Sequence, residues 1–273
     1  TGDWSSDVCS SDLKFIMKNF LFTLFFGLFI FANSYSQIIV MDIVQVKEGM
    51  NAQYEAVEKF VEPIKREAVK MGKQLGWYIM KRKSGGDLSE VENKGIGDYI
   101  ILNIFEDEAQ MKSGMDWNAT ANKVYKGKMS ARTIQKKMNS FNAPRKDTRT
   151  YTLENIYYTK PGQVNRGETI YIFPAEALND EYEQYEMEVF RPMWEKRILE
   201  GSHKHWGFNK ITKRSDNAYQ NLTHIIFNIP TDLKSNLKTD FTTQKAMDMG
   251  YNSRKGFDSA VCEIIFLADA YNN

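Results

Sequence analysis

The chain has 273 residues, of which 13% are aromatic and 26% are charged, and its formal net charge is +1 at pH 7. A chain of this length suits one large domain or two small ones. So weak a charge bias does not favour a nucleic-acid partner, which needs a concentrated basic face.

The first signal along the chain is a secretory leader over 17–36. Met17 and Lys18 form a short positive start, 20–31 is an almost unbroken apolar run, and 34–36 is a small-x-small site for signal peptidase. The apolar run is shorter than the roughly 20 residues that a membrane span needs. We therefore expect cleavage before Gln37, an exported product that is periplasmic or extracellular, and no stable membrane insertion after cleavage. The alternative is an anchor that stays attached.

Residues 1–16 precede this start and are interpreted as non-native. Back-translation of Asp3 to Leu13 gives the codons of a widely used sequencing adapter read in frame, and 14–16 are then upstream DNA. Without this segment, Cys262 is the single thiol of the mature chain. One cysteine cannot form an internal disulfide, so we expect the fold to depend on its hydrophobic core.

The first half of the mature chain, 37–162, alternates strand-like and helix-like patterns. After a β-rich stretch, apolar residues recur every three or four positions, which predicts a helix capped by Asn51 and kinked at Pro63. A second helical region is expected from Asp107 to about Met138. Strands are predicted at 38–46, 77–83, 98–106 and 150–159, and a helix break is predicted near Trp117.

The second half, 163–273, has the same β-α-β-β-α-β order. Its strands are predicted to begin at Thr169, Trp206, Thr223 and Ala260, and its helices near Asn179 and after Asp232. Residues also match between the halves in the same sequence order: Pro63, Gly72, Trp77, Asn103 and Glu154 correspond to Pro192, Gly201, Trp206, Asn228 and Glu263. We therefore predict an internal repeat of two tandem units.

A tandem of β-α-β-β-α-β units, with Trp77 and Trp206 opening the second strand after a long first helix, resembles the dimeric α+β-barrel superfamily. The resemblance covers nearly the whole mature chain. It implies an α+β fold in which two ferredoxin-like antiparallel sheets face each other as a barrel within one chain. The superfamily includes haem-degrading monooxygenases, chlorite-dismutase-like haem proteins and quinone-forming monooxygenases, so haem is one cofactor that the resemblance implies.

Strand alternation sorts the side chains into two faces. The wholly apolar face, exemplified by Ile100, Leu102 and Phe227, is expected to pack on the helices, together with Cys262. The opposite, partly polar face is expected to line the barrel lumen. The predicted ligand-binding residues on this lumen face are His224, Asn228, Glu263, Tyr99, Asn103 and Glu154.

Several of these residues have a structural alternative. His224 is either a hydrogen-bonded core histidine or a base or haem ligand that faces the lumen. Glu154 and Glu263 either pair with a Lys or Arg of a neighbouring strand or face a ligand. Asn103 and Asn228 are more typical of bridging residues than of catalysts.

His203 and His205 have the spacing of two metal ligands, but they lie at a helix-to-strand junction where their rings should diverge. A structural zinc site needs four ligands and a catalytic one needs three. No metal site is therefore predicted. The sequence also contains no glycine-rich phosphate loop and no nucleophile elbow, so no catalytic residue is assigned.

The sequence thus predicts an exported, soluble barrel that binds a small hydrophobic or aromatic ligand in its lumen or supports a partner interaction, a homo-oligomer included. The alternative is a haem-linked or cofactor-independent monooxygenase, which rests on analogy with the superfamily. In the haem alternative, His224 would be the axial ligand. A lumen filled with side chains, with no cavity, would exclude ligand binding there and leave an interaction or structural role.

Overall fold

Eight antiparallel strands close into a barrel in the computed structural model, whose described residues are 36–86, 97–159 and 162–271. The strands in chain order are β1 (Ile38–Val46), β2 (Gly76–Ser84), β3 (Tyr99–Phe105), β4 (Arg145–Tyr158), β5 (Thr169–Ala177), β6 (His203–Arg214), β7 (His224–Pro230), β8 (Arg254–Gly256) and β9 (Ala260–Asp269). Around the ring the order is β7-β6-β4-β1-β3-β2-β9-β5, and β5 pairs again with β7; the short β8 extends β5. The predicted α+β class with a barrel of facing antiparallel sheets is confirmed.

Helices pack on the outside of the barrel. They are α1 (Asn51–Lys70), α2 (Glu108–Ser113), α3 (Trp117–Val124), α4 (Ala131–Asn139), α5 (Tyr182–Tyr185), α6 (Arg191–Leu199) and α7 (Phe241–Asn252). A π-helical turn, Glu186–Phe190, joins α5 to α6 without a break. In the described part of the chain, no helix combines the length and the apolar composition that crossing a bilayer requires.

The two halves of the chain have the same strand order. The first half runs β4-β1-β3-β2, and the second runs β6-β7-β5-β9, which is the same order read in the opposite direction. Two seams join the halves, β2 with β9 and β4 with β6, and each pairs the second strand of one half with the last strand of the other.

Residues that match between the halves in sequence also occupy equivalent register positions. Within each half, a buried tryptophan of the second strand lies opposite an asparagine of the third strand. At each seam, a lysine lies opposite a glutamate. The pairs are Trp77–Asn103 and Trp206–Asn228 within the halves, and Lys81–Glu263 and Lys210–Glu154 at the seams.

Side-chain caps mark the start of several of the described helices. The predicted break near Trp117 is confirmed, because Asp116 caps α3 by accepting a hydrogen bond from Ala119 N at 2.9 Å. A second break, before α4, was not predicted; there Gly127 has a φ of 76°, which favours glycine. Asn51 was predicted to cap α1, but it is the first helical residue, and Met50 precedes it without a side-chain cap.

The barrel interior is apolar and draws on all eight barrel strands. Residues such as Met41, Leu102, Tyr151 and Phe227 form it together with Leu222 from the loop between β6 and β7. Two further clusters lie between the outer strand faces and the helices; each is centred on one half and includes residues of the last strand of the other half. The barrel therefore has one inner core and two outer ones.

The predicted assignment of the strand faces was wrong. Ile100 and Leu102 face the barrel interior, whereas Tyr99 and Ile101 pack beneath α1. Cys262 was also placed wrongly, since it belongs to the interior cluster. The physical reason is that helices carry long polar side chains that satisfy polar strand residues, whereas the closed interior offers few such partners and therefore takes the most apolar face.

Candidate functional site

A cavity of about 390 Å³ opens at one end of the barrel, where β2 and β6 begin and β3, β7 and β9 end. This volume falls within the range of roughly 300–1,000 Å³ that is typical of ligand pockets. The other end is filled, because Ala218, Tyr219 and Leu222 join the interior cluster there. The apolar lining of the cavity includes Ile39, Met80, Leu102, Ile104, Val164, Ile170, Phe227, Ile229 and Ile264.

His205 lines this cavity near the start of β6 and is half-buried. Its Nδ1 atom lies 2.8 Å from the carbonyl oxygen of Thr159. Burial lowers the pKa of the imidazole to about 4, so the ring is neutral at pH 7. His203 instead packs edge-on against Trp194 of α6, because a β-bulge separates the two histidines. The predicted divergence of their rings is confirmed.

A phenol and a carboxylate form a second polar group in the cavity wall. The Tyr78 hydroxyl donates a hydrogen bond to Asp269 Oδ2 at 2.8 Å, and the other carboxylate oxygen accepts from Tyr271 N at 2.9 Å. Burial and the neighbouring carboxylate raise the pKa of Tyr78, so this hydroxyl keeps its proton. The pair thus places a carboxylate beside an otherwise apolar space.

A third polar group is a pair of buried amides. Asn155 Nδ2 donates to Asn209 Oδ1 at 2.8 Å, and Asn209 Nδ2 donates to the carbonyl of Ile225 at 3.0 Å. Gln37 at the rim donates to the Tyr158 hydroxyl at 3.2 Å. These bonds keep the amides fixed in the wall, as buried polar groups require.

The predicted ligand residue His224 lies outside this cavity, beneath the helices of the second half. Its ring stacks on Phe208 and meets Tyr182 edge-on. Nδ1 lies 2.8 Å from Thr223 Oγ1 and Nε2 lies 3.3 Å from Glu183 Oε1. Both ring nitrogens are therefore engaged, which matches the structural alternative for this histidine.

Tyr99 and Asn103 lie in the same way beneath α1 in the first half. The Tyr99 hydroxyl donates to Glu55 Oε1 at 2.7 Å, and Asn103 Oδ1 accepts from Lys65 Nζ at 2.7 Å. Burial lowers the pKa of Lys65 to about 8. The prediction that these two residues look into the lumen was wrong.

The remaining three predicted residues are also not in the cavity wall. Asn228 is buried opposite Trp206 on the helix-facing side. Glu263 forms an ion pair with Lys83 of the neighbouring strand β2, which is the structural alternative for this carboxylate. Glu154 is exposed. The structure thus distributes the six predicted residues over both halves of the barrel exterior.

Sequence reasoning missed the cavity residues for a definable reason. His205, Gly207 and Asn209 alternate with Trp206 and Phe208 along β6. Trp206 belongs to an outer cluster between the strands and the helices. Extending that alternation would have placed His205 on the barrel-facing side.

Haem does not fit the groups that the fold provides. His224 was the predicted axial ligand, but stacked rings cover it and hydrogen bonds engage both nitrogens. His205 reaches the cavity, yet none of the described residues that line the cavity is a Lys or Arg that could pair with haem propionates.

Comparison with known proteins shows the fold. No family model and no curated protein matches the sequence. A candidate monooxygenase from Fusobacterium nucleatum subsp. nucleatum matches with a TM-score of 0.56 and 10% identity, over 86% of this chain and 95% of that one. A candidate monooxygenase from Lactobacillus acidophilus matches with the same TM-score and identity, over 86% and 96%. An anthrone oxidase-like protein matches with a TM-score of 0.46 and 10% identity, over 88% and 95%.

These neighbours are dimeric α+β-barrel proteins, and the closed eight-strand barrel of this chain agrees with them. At 10% identity the likeness extends to the fold and not to a reaction.

Proposed function

We propose that the protein binds a small, largely apolar ligand in the cavity at the open end of the barrel. The observation that carries the proposal is the cavity itself: about 390 Å³, walled mainly by aliphatic and aromatic side chains, with a few fixed polar groups. Sites of this composition are typical of small-molecule binding. The ligand class agrees with the one expected from the sequence, although other residues form the site.

Two glycines provide a direct test of this proposal. Gly162 lines the cavity, a Cβ there would meet nothing within 4 Å, and its φ lies outside the glycine-favouring region, so Gly162→Trp should occupy the opening without strain. Gly256 on β8 has equally open surroundings and lies outside the cavity lining, so Gly256→Trp is the matched control.

The probe is N-phenyl-1-naphthylamine, whose fluorescence rises in apolar surroundings. Saturable binding should weaken at least about tenfold in Gly162→Trp and stay unchanged in Gly256→Trp, since a blocked cavity loses most of its apolar contact area. Equal binding by both variants would refute the cavity as the site.

A cofactor-independent monooxygenase is the second proposal. Two solved structures that share the fold are described as candidate monooxygenases, and this analogy motivates the proposal. The neutral His205 adds a group that could accept a proton from a bound substrate. Oxygen uptake with a phenolic substrate, lost in His205→Phe, would support it, and its absence would leave a binding protein.

We also propose that the protein is exported after cleavage before Gln37. β1 begins at Ile38, so this cleavage would remove no described strand. Mass spectrometry of the protein recovered from a secreting bacterial host tests the proposal. A mature N-terminus at Gln37 is expected, and an uncleaved chain in the cytoplasm would overturn it.

The equivalent registers support a further proposal, that the chain consists of two tandem related units, 37–162 and 163–273. A Tyr-Glu-x-x-Glu motif lies in the first turns of the first helix of each half, at Tyr54 and at Tyr182. Five positions separate Glu58 from Pro63, and six separate Glu186 from Pro192. The extra residue coincides with the π turn, which is how an α-helix accommodates a one-residue insertion.

A further inference from the structure

The tautomer of His205 is fixed by its surroundings. A carbonyl oxygen only accepts hydrogen bonds, so the 2.8 Å contact to the Thr159 carbonyl requires the proton on Nδ1. Thr159 is itself held in place, since its N donates to the Trp206 carbonyl at 2.9 Å and its Oγ1 accepts from Trp206 N at 2.9 Å. The other ring nitrogen, Nε2, therefore presents a lone pair.

This lone pair lies against the space left by Gly207. A Cβ built on Gly207 would come within 3.0 Å of His205 Nε2, and both residues line the cavity. Within the described residues, His205 Nε2 is thus an acceptor of fixed orientation at the cavity wall that receives no hydrogen bond.

Two donors of the wall are already engaged. Tyr78 donates to Asp269, and the amide of Asn155 donates to Asn209. The carboxylate of Asp269 adds negative charge, and none of the described lining residues is a Lys or Arg. A carboxylate ligand would therefore meet like charge without compensation, whereas an uncharged hydroxyl or N–H group would find an acceptor.

We infer that His205 Nε2 selects the ligand of the proposed site: an uncharged aromatic molecule that donates one hydrogen bond, such as an aromatic alcohol. The inference rests on the proposed function, because it specifies the ligand of the same cavity. Apolar contacts provide affinity, and the imidazole provides the discrimination between donors, non-donors and anions.

Three matched probes test this assignment: 1-naphthol, 1-methoxynaphthalene and 1-naphthoate. They share one ring system and differ in carrying a donor, no donor or a negative charge. We expect the wild-type protein at pH 7 to bind 1-naphthol roughly 3- to 10-fold more tightly than 1-methoxynaphthalene, and 1-naphthoate most weakly. Fluorescence titration gives the three dissociation constants.

The variant His205→Phe retains a planar ring and removes the acceptor. It should bind 1-naphthol no better than 1-methoxynaphthalene, so the ratio of the two dissociation constants should fall to about 1. His203→Phe is the matched control, because His203 lies outside the cavity lining against Trp194, and it should keep the wild-type preference. A preference for 1-naphthol that persists in His205→Phe would overturn the assignment.

A measurement on the wild-type protein covers the case in which His205→Phe fails to fold. The ¹⁵N shift of His205 Nε2 should change when 1-naphthol is added and stay constant with 1-methoxynaphthalene; equal responses would refute the inference. If all three probes bind equally well, the selectivity is wrong but the cavity site stands. If none binds saturably, the proposed function fails as well.

Discussion

At the scale of single residues, a buried glutamate–arginine pair recurs in each half. Glu58 pairs with Arg145 at 3.0 Å, and Glu186 pairs with Arg254. Each guanidinium also lies 5.6 Å from the ring of the tyrosine that precedes the glutamate by four positions. Burial raises the pKa of Glu58, and it raises that of Glu186 to about 7 in spite of its arginine.

The second of these pairs leads to a stability prediction. Arg254→Met should destabilise the protein by about 3–5 kcal/mol, because it leaves a buried carboxylate without its cation. The double variant Arg254→Met/Glu186→Gln should recover at least half of that loss, since no buried charge then remains. Urea unfolding at pH 8 provides the comparison; purely additive losses would contradict the pairing.

Equivalent positions of the two halves carry different aromatic rings. Tyr99 bonds to Glu55, which also binds Lys81 at 2.8 Å. In the second half, His224 takes the place of the tyrosine beside Glu183, which binds Lys210 at 2.7 Å. Burial lowers the pKa of His224 to about 4, so at pH 7 the histidine is uncharged, as a tyrosine at the same position would be.

Replacing His224 with the tyrosine of the equivalent position in the first half should change how the free energy of unfolding depends on pH. Because the folded pKa of His224 lies below its ordinary value of 6.5, the unfolded chain takes up the proton first as the pH falls. The contribution of neutral His224 to the free energy of unfolding is therefore complete above about pH 6.5. It is lost as the pH falls to about 4, and the total loss is on the order of 3 kcal/mol. His224→Tyr should therefore lose less stability than the wild-type protein over this window.

Urea unfolding at pH 7, 5.5 and 4.5 measures this difference. At pH 7, His224→Tyr should lie within about 1 kcal/mol of the wild-type protein, because the new hydroxyl can reach Glu183 as Tyr99 reaches Glu55. If the free energy of unfolding falls equally with pH in the two proteins, a group other than His224 determines the loss of stability in acid.

At the scale of elements, the π turn is the main difference between the two long helices. Both helices carry the Tyr-Glu-x-x-Glu motif in their first turns, and both lead into a buried tryptophan, Trp77 or Trp206. The π turn absorbs one additional residue and keeps both helix ends in register with the sheet. Without it, an insertion would rotate the following residues by about 100°.

A pair of single deletions checks this explanation. Deleting the exposed Glu188 should convert the π turn into regular α-helix and change the free energy of unfolding by less than about 1 kcal/mol. Deleting the exposed Lys59 from α1 should rotate the buried face of that helix and cost several kcal/mol. Thermal unfolding monitored by circular dichroism compares the two; equal losses would refute the explanation.

The elements could be predicted because they depend on local pattern. The strand at 38–46 has the bounds of β1, and the strands predicted to begin at Trp77 and Trp206 correspond to β2 and β6. The cavity could not be predicted in the same way, because it depends on which strand face turns inward. Periodicity gives two faces for Tyr99 and Ile100 but does not say that Glu55 on a helix would satisfy the hydroxyl.

At the scale of the whole molecule, the seams determine how the halves combine. β2 pairs with β9 and β4 pairs with β6, so each half supplies a second strand and a last strand to the other. Since both halves have the same strand order, the first half on its own presents two edges that are complementary to each other.

The segment 37–162 expressed alone should therefore form a dimer in which β2 of one copy pairs with β4 of the other. Light scattering coupled to size exclusion should give twice the mass of the segment. Replacing Ile79 at the centre of β2 with Pro should prevent this pairing, because proline removes a ladder donor, and should shift the segment to monomer or aggregate. A folded monomer of the unmodified segment would contradict the prediction.

The closed ring also determines the order of events in time. The hydroxyl of Tyr78 donates to a carboxylate that lies 191 positions further along the chain. β2 can pair with β9 only after β9 has been synthesised. Such distant pairing raises the mean sequence separation of contacts, which slows folding to milliseconds or longer in small proteins. From the synthesis of β2 until that of β9, a nascent chain on the ribosome would thus carry an unpaired strand edge, which is open to pairing with another chain.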